Sequence, residues 1–323
     1  MGKHIDILLS SDNNYVMPLA TVITSVIRTK NTDCSHTFYI IDDEISDYNK
    51  ELINKLKNET TDIVFTKKPD MSSLCVNKDA LDTGYISIAT YYRLFSAKIL
   101  PSHIHKILYL DCDMVVCSDL WDLYSKEFDD NYLLGVRDKF EEECCERLNL
   151  SCYVNAGMLL LNLDKWREDD LLLAFQAYSQ KHAGMLKWQD QDILNGVCAG
   201  KIKVVEPKWN VQVGTDDAHE EENILGRTAC VIHYISYKKP WKIGVLHPFF
   251  NEFQINLACS PFNYIEFKKS HRIINSLLRK SLVKEIIHGI FPDGSSRKKL
   301  LLKTDNAIIE YIMGTDYTPM RQS

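Results

Sequence analysis

The stretch Lys106-Ile-Leu-Tyr-Leu-Asp-Cys-Asp-Met-Val115 decides the fold. Its apolar half, Ile107 to Leu110, reads as a short buried strand that delivers Asp111 and Asp113 at its carboxyl end. In open α/β sheets that end is where ligands bind. Side chains alternate along an extended segment, so Asp-x-Asp is expected to present two carboxylates on one side. Two hard oxygen ligands so placed suit Mn²⁺ or Mg²⁺, ions that keep some waters and share their remaining positions with substrate phosphates. A metal bridging a diphosphate would stabilise the charge of a leaving nucleoside diphosphate.

Outward from that strand, short apolar runs alternate with helix-like segments, the pattern of βαβ units around a mainly parallel sheet. Strands are predicted at Ile5 to Leu9, Phe38 to Ile41 and Ile63 to Phe65, and beyond the acidic pair at Tyr132 to Val136, Met158 to Leu161, Ile202 to Val205 and Cys230 to Ile235. Leu19, Val22, Ile23, Val26 and Ile27 have the spacing of a helix face, Ser46 is placed to cap a helix through Leu56, and a further helix is expected from Ile88 until Pro101 stops it. The boundary near residue 260 follows from composition: residues 1–260 form the α/β domain, and 261–323 a basic helical region. Lys268 to Lys303 holds ten Lys or Arg against two acidic residues, interleaved with apolar ones. That pattern suits a basic amphipathic helix on anionic lipid, or a solvated helix packed on its own domain.

A net charge of −6 over 323 residues argues against a nucleic-acid partner. Ten cysteines without a CxxC pair suggest reduced thiols, and no apolar run reaches the length of a membrane span. The expectation is therefore a cytoplasmic protein, with peripheral contact on the inner face of the membrane through its basic region.

Asp111-Cys-Asp113-Met-Val115 also resembles the nucleophile motif of haloacid-dehalogenase-type phosphatases, in which Asp111 would attack phosphorus and Asp113 would act as acid and base. That family usually carries its motif on the first strand, whereas about a hundred residues of βα pattern precede it here. Five further segments, with the acidic pair and in the same order, resemble glycosyltransferase family 8. They are Ser10-Ser-Asp-Asn-Asn-Tyr15 with Ile86-Ser-Ile-Ala-Thr-Tyr-Tyr-Arg93, then Asn155-Ala-Gly-Met-Leu-Leu-Leu-Asn162, Trp188-Gln-Asp-Gln-Asp-Ile-Leu-Asn195, and Ile232-His-Tyr-Ile-Ser-Tyr-Lys-Lys-Pro-Trp241.

The resemblance implies an α/β fold of the glycosyltransferase type A kind with an open, mixed, mainly parallel sheet. It also implies a retaining, Mn²⁺- or Mg²⁺-dependent transfer of a hexose, glucose or galactose, from a UDP-sugar to a glycan or glycolipid acceptor of the lipopolysaccharide type. By the same resemblance Asp111, Asp113 and His233 would hold the metal. Asp12 and Asn14 would bond uracil and ribose, and Tyr15 would stack on the base. Arg93 and Lys239 would approach the diphosphate, and Asn155 and Ala156 would line the sugar pocket. Asp190 would hold sugar hydroxyls, Gln191 would sit beside the anomeric carbon, and Asp138 would lie near sugar and acceptor. Ser236 stands where the family commonly has glycine, so its part in binding phosphate would pass to its hydroxyl. A non-catalytic nucleotide-sugar-binding protein of the same fold is the remaining alternative.

Overall fold

Seven apolar strands form the main sheet, in the order β3-β2-β1-β4-β7-β6-β8. These are β1 (Lys3–Asp12), β2 (Cys34–Asp43), β3 (Thr61–Lys67), β4 (Lys106–Leu110), β6 (Leu133–Arg137), β7 (Val154–Asn162) and β8 (Ile202–Val204). β1 pairs in parallel with β2 and β4, and β2 with β3. β7 runs antiparallel to both β4 and β6, while β6 and β8 are parallel, so the sheet is mixed but mainly parallel. Eight of the nine residues of β7 are buried, as expected for a central strand covered on both faces. The structure is a computed structural model. It describes residues 2–31, 33–74, 88–214, 228–235, 237–242, 247 and 249–263, all within the compact unit Met1–Asn263. Ser236 and the basic stretch expected to contact lipid lie outside the described residues.

The helices that cover the sheet follow the apolar spacing. α1 (Val16–Thr29) buries Leu19, Val22, Ile23 and Val26, and accepts Pro18 in its first turn, where a missing N–H costs nothing. α2 (Asp47–Asn54) starts where Ser46 accepts the Asn49 N–H. α3 (Glu141–Leu148), α4 (Leu163–Glu168), α5 (Leu171–Lys181) and α6 (Gln189–Val197) follow, and α7 (Phe250–Ala258) packs on α1. The helix expected from Ile88 to Pro101 is instead a 3₁₀ helix, Ile88–Phe95, followed by a single α turn, Ser96–Ile99. Its residues Tyr91 to Phe95 are all buried, so this segment has no solvent stripe and its winding follows the core around it. Leu100, extended at ψ 147°, ends it before Pro101 as expected.

A second, three-stranded sheet went unanticipated: β5 (Met114–Val116), β10 (Val231–Tyr234) and β9 (Val211–Val213) in the order β5-β10-β9. Only the Cys230 to Ile235 strand was legible, because three-residue strands are too short to carry a period. This small sheet matters for the site. The chain leaves the main sheet at Leu110 and enters the small one at Met114, so Asp111 to Asp113 forms a turn between two sheets rather than the extended segment expected.

Candidate active site

The turn delivers both carboxylates to one place because each sheet fixes one end of it. The Asp111 N–H donates to Gly157 O at 2.8 Å, and the Tyr234 N–H donates to Asp113 O at 2.9 Å. Antiparallel register sets His233 opposite Met114, and so beside Asp113. His233 Nε2 lies 3.3 Å from Asp113 Oδ1 and 3.9 Å from Asp111 Oδ2. One ligand atom from each of the three residues lies within 4.8 Å of the others.

The remaining atoms of this trio are engaged elsewhere. Asp111 Oδ1 accepts the Tyr109 hydroxyl at 2.8 Å and faces Arg93 Nη2 at 3.1 Å. Asp113 Oδ2 accepts from Lys239 Nζ at 2.7 Å. Asp113 Oδ1 is buried with no hydrogen-bond partner. Burial raises the Asp113 carboxyl, but Lys239 and His233 more than reverse this and hold it below the usual carboxylate range. Two carboxylate oxygens and one imidazole nitrogen facing one another fit a divalent cation such as Mn²⁺ or Mg²⁺. Cys112 takes no part. Burial, then its acidic neighbours, pushes its thiol well above its ordinary value, and it donates to Ser10 O at 3.2 Å.

Beneath the acidic pair sits Arg93, expected by resemblance to approach the diphosphate and only 2% exposed. Its Nε is 2.7 Å from Thr90 O, Nη1 donates to Ala156 O, and its guanidinium lies 4.4 Å above the centre of the Tyr109 ring. Nε is also 2.9 Å from Asp190 Oδ2, yet its N–H points at Thr90, so that oxygen is close to positive charge without an aligned donor. Burial raises the Asp190 carboxyl and Arg93 opposes the rise.

The opposite wall is β7 and the start of α6. Gln191 Oε1 accepts the Ala156 N–H at 2.9 Å, and its Nε2 donates to Asp138 Oδ2 at 3.1 Å. Asn155 Nδ2 donates to the same oxygen at 2.9 Å, and the Phe140 N–H donates to Asp138 Oδ1 at 2.8 Å. The glycine that follows Ala156 has an internal reason. A Cβ on Gly157 would lie 2.4 Å from His233 Cε1 and 2.9 Å from Asp111 Oδ2, so no side chain fits there. These walls enclose a cleft of about 600 Å³ that Asp12, Asn14, Tyr15 and Lys239 also line.

The profile of Glycosyl transferase family 8 matches residues 6–243. The chain is a member of glycosyltransferase family 8. A Haemophilus influenzae protein that carries a glycosyltransferase name is 34% identical over 248 residues, 74% of each chain. The lipopolysaccharide 1,2-glucosyltransferase of Escherichia coli is 27% identical, over 80% of this chain and 79% of its own. Among solved structures, the galactosyltransferase LgtC in complex with donor and acceptor sugar analogs is 26% identical, with a TM-score of 0.67 over 79% of this chain and 96% of that one. The fold is thus the type A glycosyltransferase fold, and the chain is a glycosyltransferase.

At the end of β1, Asp12 Oδ1 accepts the N–H groups of Asn14 and Tyr15 at 2.8 and 3.0 Å, so one of its oxygens shapes the β1–α1 turn. Tyr15 meets Trp241 edge to face, with ring centres 5.9 Å apart. Lys239, expected at the diphosphate, is 5% exposed and is held by Asp113 and by Tyr234 O. Several residues of this transferase escaped the sequence reading. Tyr109 anchors Asp111, and Asn210 contacts His233. Asp192 is fully buried, pairs with Arg147 and accepts the Tyr153 hydroxyl at 2.6 Å, which fixes the start of α6. Gln189, at φ 55°, holds a left-handed conformation there. Within the Gln-Asp-Gln-Asp block Asp190 and Gln191 were assigned by resemblance, whereas the internal pairing of Asp192 was not legible.

Proposed function

We propose that this transferase moves a hexose, glucose or galactose, from a UDP-sugar to a glycan or glycolipid acceptor with retention of anomeric configuration. The observation that carries the reading is the convergence of Asp111 Oδ2, Asp113 Oδ1 and His233 Nε2 beside Asp190 and Gln191 in one cleft. A bound Mn²⁺ would neutralise charge on the departing UDP. Lys239, already directed at Asp113, would add a point charge to the diphosphate. Asp190 Oδ2, buried at the cleft wall without a donor, is suited to a sugar hydroxyl.

On the wall that carries Gln191, Asp138 has both oxygens engaged and Asp190 is the carboxylate proposed above for a sugar hydroxyl. Asp138 accepts from Phe140, Asn155 and Gln191, and Asp190 is held beside Arg93. Front-face attack next to the Gln191 amide therefore fits better than a covalent intermediate. A phosphatase role for Asp111 is disfavoured by the same logic, because Tyr109 and Arg93 occupy its Oδ1 and its Oδ2 faces a histidine.

A panel of UDP-sugars incubated with Mn²⁺ is expected to give UDP release from UDP-glucose or UDP-galactose. Binding of donors without release would support the non-catalytic reading, and orthophosphate release indifferent to UDP would support the phosphatase. The names of lipopolysaccharide-modifying relatives, together with the basic stretch Lys268 to Lys303, suggest an acceptor at an anionic membrane surface. Full-length protein is then expected to sediment with anionic liposomes at low salt and to be released by high salt. Folded protein that stays in the supernatant would remove the membrane from the proposal. No helix among the described residues is long and apolar enough to cross a membrane.

A further inference from the structure

A chain of buried amides joins the sugar-side carboxylate Asp138 to the proposed metal ligand His233, and its direction can be worked out link by link. An ionised carboxylate only accepts hydrogen bonds, so Asn155 must turn its Nδ2 towards Asp138 Oδ2, 2.9 Å away. The same orientation is required independently at the other end of that amide, where Asn155 Oδ1 accepts the Gly157 N–H at 3.0 Å, a group that can only donate. Asn155 Oδ1 therefore takes a second hydrogen bond from Asn210 Nδ2, at 2.9 Å. That leaves Asn210 Oδ1 facing His233 Nδ1 at 3.1 Å, and an amide oxygen can only accept. The proton of the neutral imidazole must then sit on Nδ1. In that neutral ring Nε2 keeps its lone pair, 3.3 Å from Asp113 Oδ1 and 3.9 Å from Asp111 Oδ2. Asn155, Asn210 and His233 are 8%, 2% and 4% exposed, so solvent does not compete for these contacts.

We propose that Asn210 is a positioning residue that fixes the His233 tautomer, with Asp138 setting the direction of the relay through Asn155. Without the Asn210 oxygen, the neutral ring is free to carry its proton on Nε2, the tautomer favoured by free histidine. Nε2–H would then donate to Asp113 Oδ1 at 3.3 Å, and His233 would close the carboxylate site on itself instead of opening it to a cation. The same Asp138 oxygen also receives Gln191 Nε2, so one carboxylate orients both the metal ligand and the amide proposed to lie beside the anomeric carbon. The consequence for cation binding rests on the metal role proposed for Asp111, Asp113 and His233; the tautomer assignment does not.

The test is ¹⁵N NMR of the His233 ring in full-length, metal-free protein, assigned against His233→Gln. At a pH where the ring is neutral the Nδ1–H tautomer is expected, and a neutral Nε2–H ring in the wild type would overturn the proposal whether or not any variant folds. Asn210→Leu, checked for folding by its thermal melt, is expected to move the proton to Nε2. It should also weaken Mn²⁺ binding, followed by the EPR signal of free Mn²⁺, by about 10- to 100-fold. Asn210→Asp, which restores an acceptor, is expected to recover the Nδ1–H tautomer. An unchanged tautomer in folded Asn210→Leu would overturn the assignment. A changed tautomer with unchanged Mn²⁺ affinity would uphold it and sink the metal role of His233 instead.

Discussion

Replacing Arg93 by methionine is expected to lower the folding stability by about 3–5 kcal/mol, the usual penalty for removing one partner of a buried ion pair. Arg93 is 2% exposed and lies 3.1 Å from Asp111 Oδ1 and 2.9 Å from Asp190 Oδ2, so methionine fills much of the volume but leaves two carboxylates without their counter-charge. In the thermal melt this should appear as a fall of roughly 6–20 °C, taking about 2–4 °C per kcal/mol for a domain of this size. The loss should depend on pH in a definite direction. Burial already raises the Asp190 carboxyl and Arg93 opposes that rise, so the variant moves its folded pKa further up. A folded pKa above the unfolded one means the folded state holds the proton more tightly. The penalty is therefore full above the raised pKa and is relieved as pH falls through it. A loss below about 1 kcal/mol at neutral pH, the range of an exposed pair, would show that Arg93 is not the counter-charge of this site.

The second large effect is expected in Asp113→Ala. The variant removes the one buried oxygen of the trio that has no hydrogen-bond partner, and with it the acceptor of Lys239. If that oxygen holds the metal, kcat/KM for sugar transfer should fall by about 10³-fold or more, equivalent to about 4 kcal/mol of transition-state stabilisation. Mn²⁺ affinity should fall with it. Because Lys239 is 5% exposed and would lose its carboxylate, Asp113→Asn, which keeps an acceptor for it, separates lost chemistry from lost packing. Wild-type turnover by Asp113→Ala at saturating Mn²⁺ would remove the metal role.

The parts of the fold with a strong local signature were legible. Runs such as Ile5 to Leu9 and Lys106 to Leu110 form strands where expected, and the carboxyl end of β4 does carry the acidic pair. Elements governed by their surroundings were not. Ile88 to Phe95 winds as a 3₁₀ helix inside the core, and β5 and β9 are three residues each. In the site, residue types were readable and their partners were not. Gly157 leaves room for His233, and Arg93, expected by resemblance at the diphosphate, lies under Asp111 and within 2.9 Å of Asp190.

The sequence by itself determined that two carboxylates would end a buried strand, that a histidine and a lysine would follow in one later block, and that a Gln-Asp-Gln-Asp block would open a helix. These are local facts, set by side-chain periodicity and by residues that start or stop elements. Only the tertiary structure decided that His233 faces Asp113, because that depends on the pairing of β10 with β5, and a slip of one residue would turn the ring to the other face. The tautomer of that ring is likewise invisible in the chain. It follows from four side chains on separate segments, whose donors and acceptors can be matched in only one direction once Asp138 and the Gly157 N–H fix the ends.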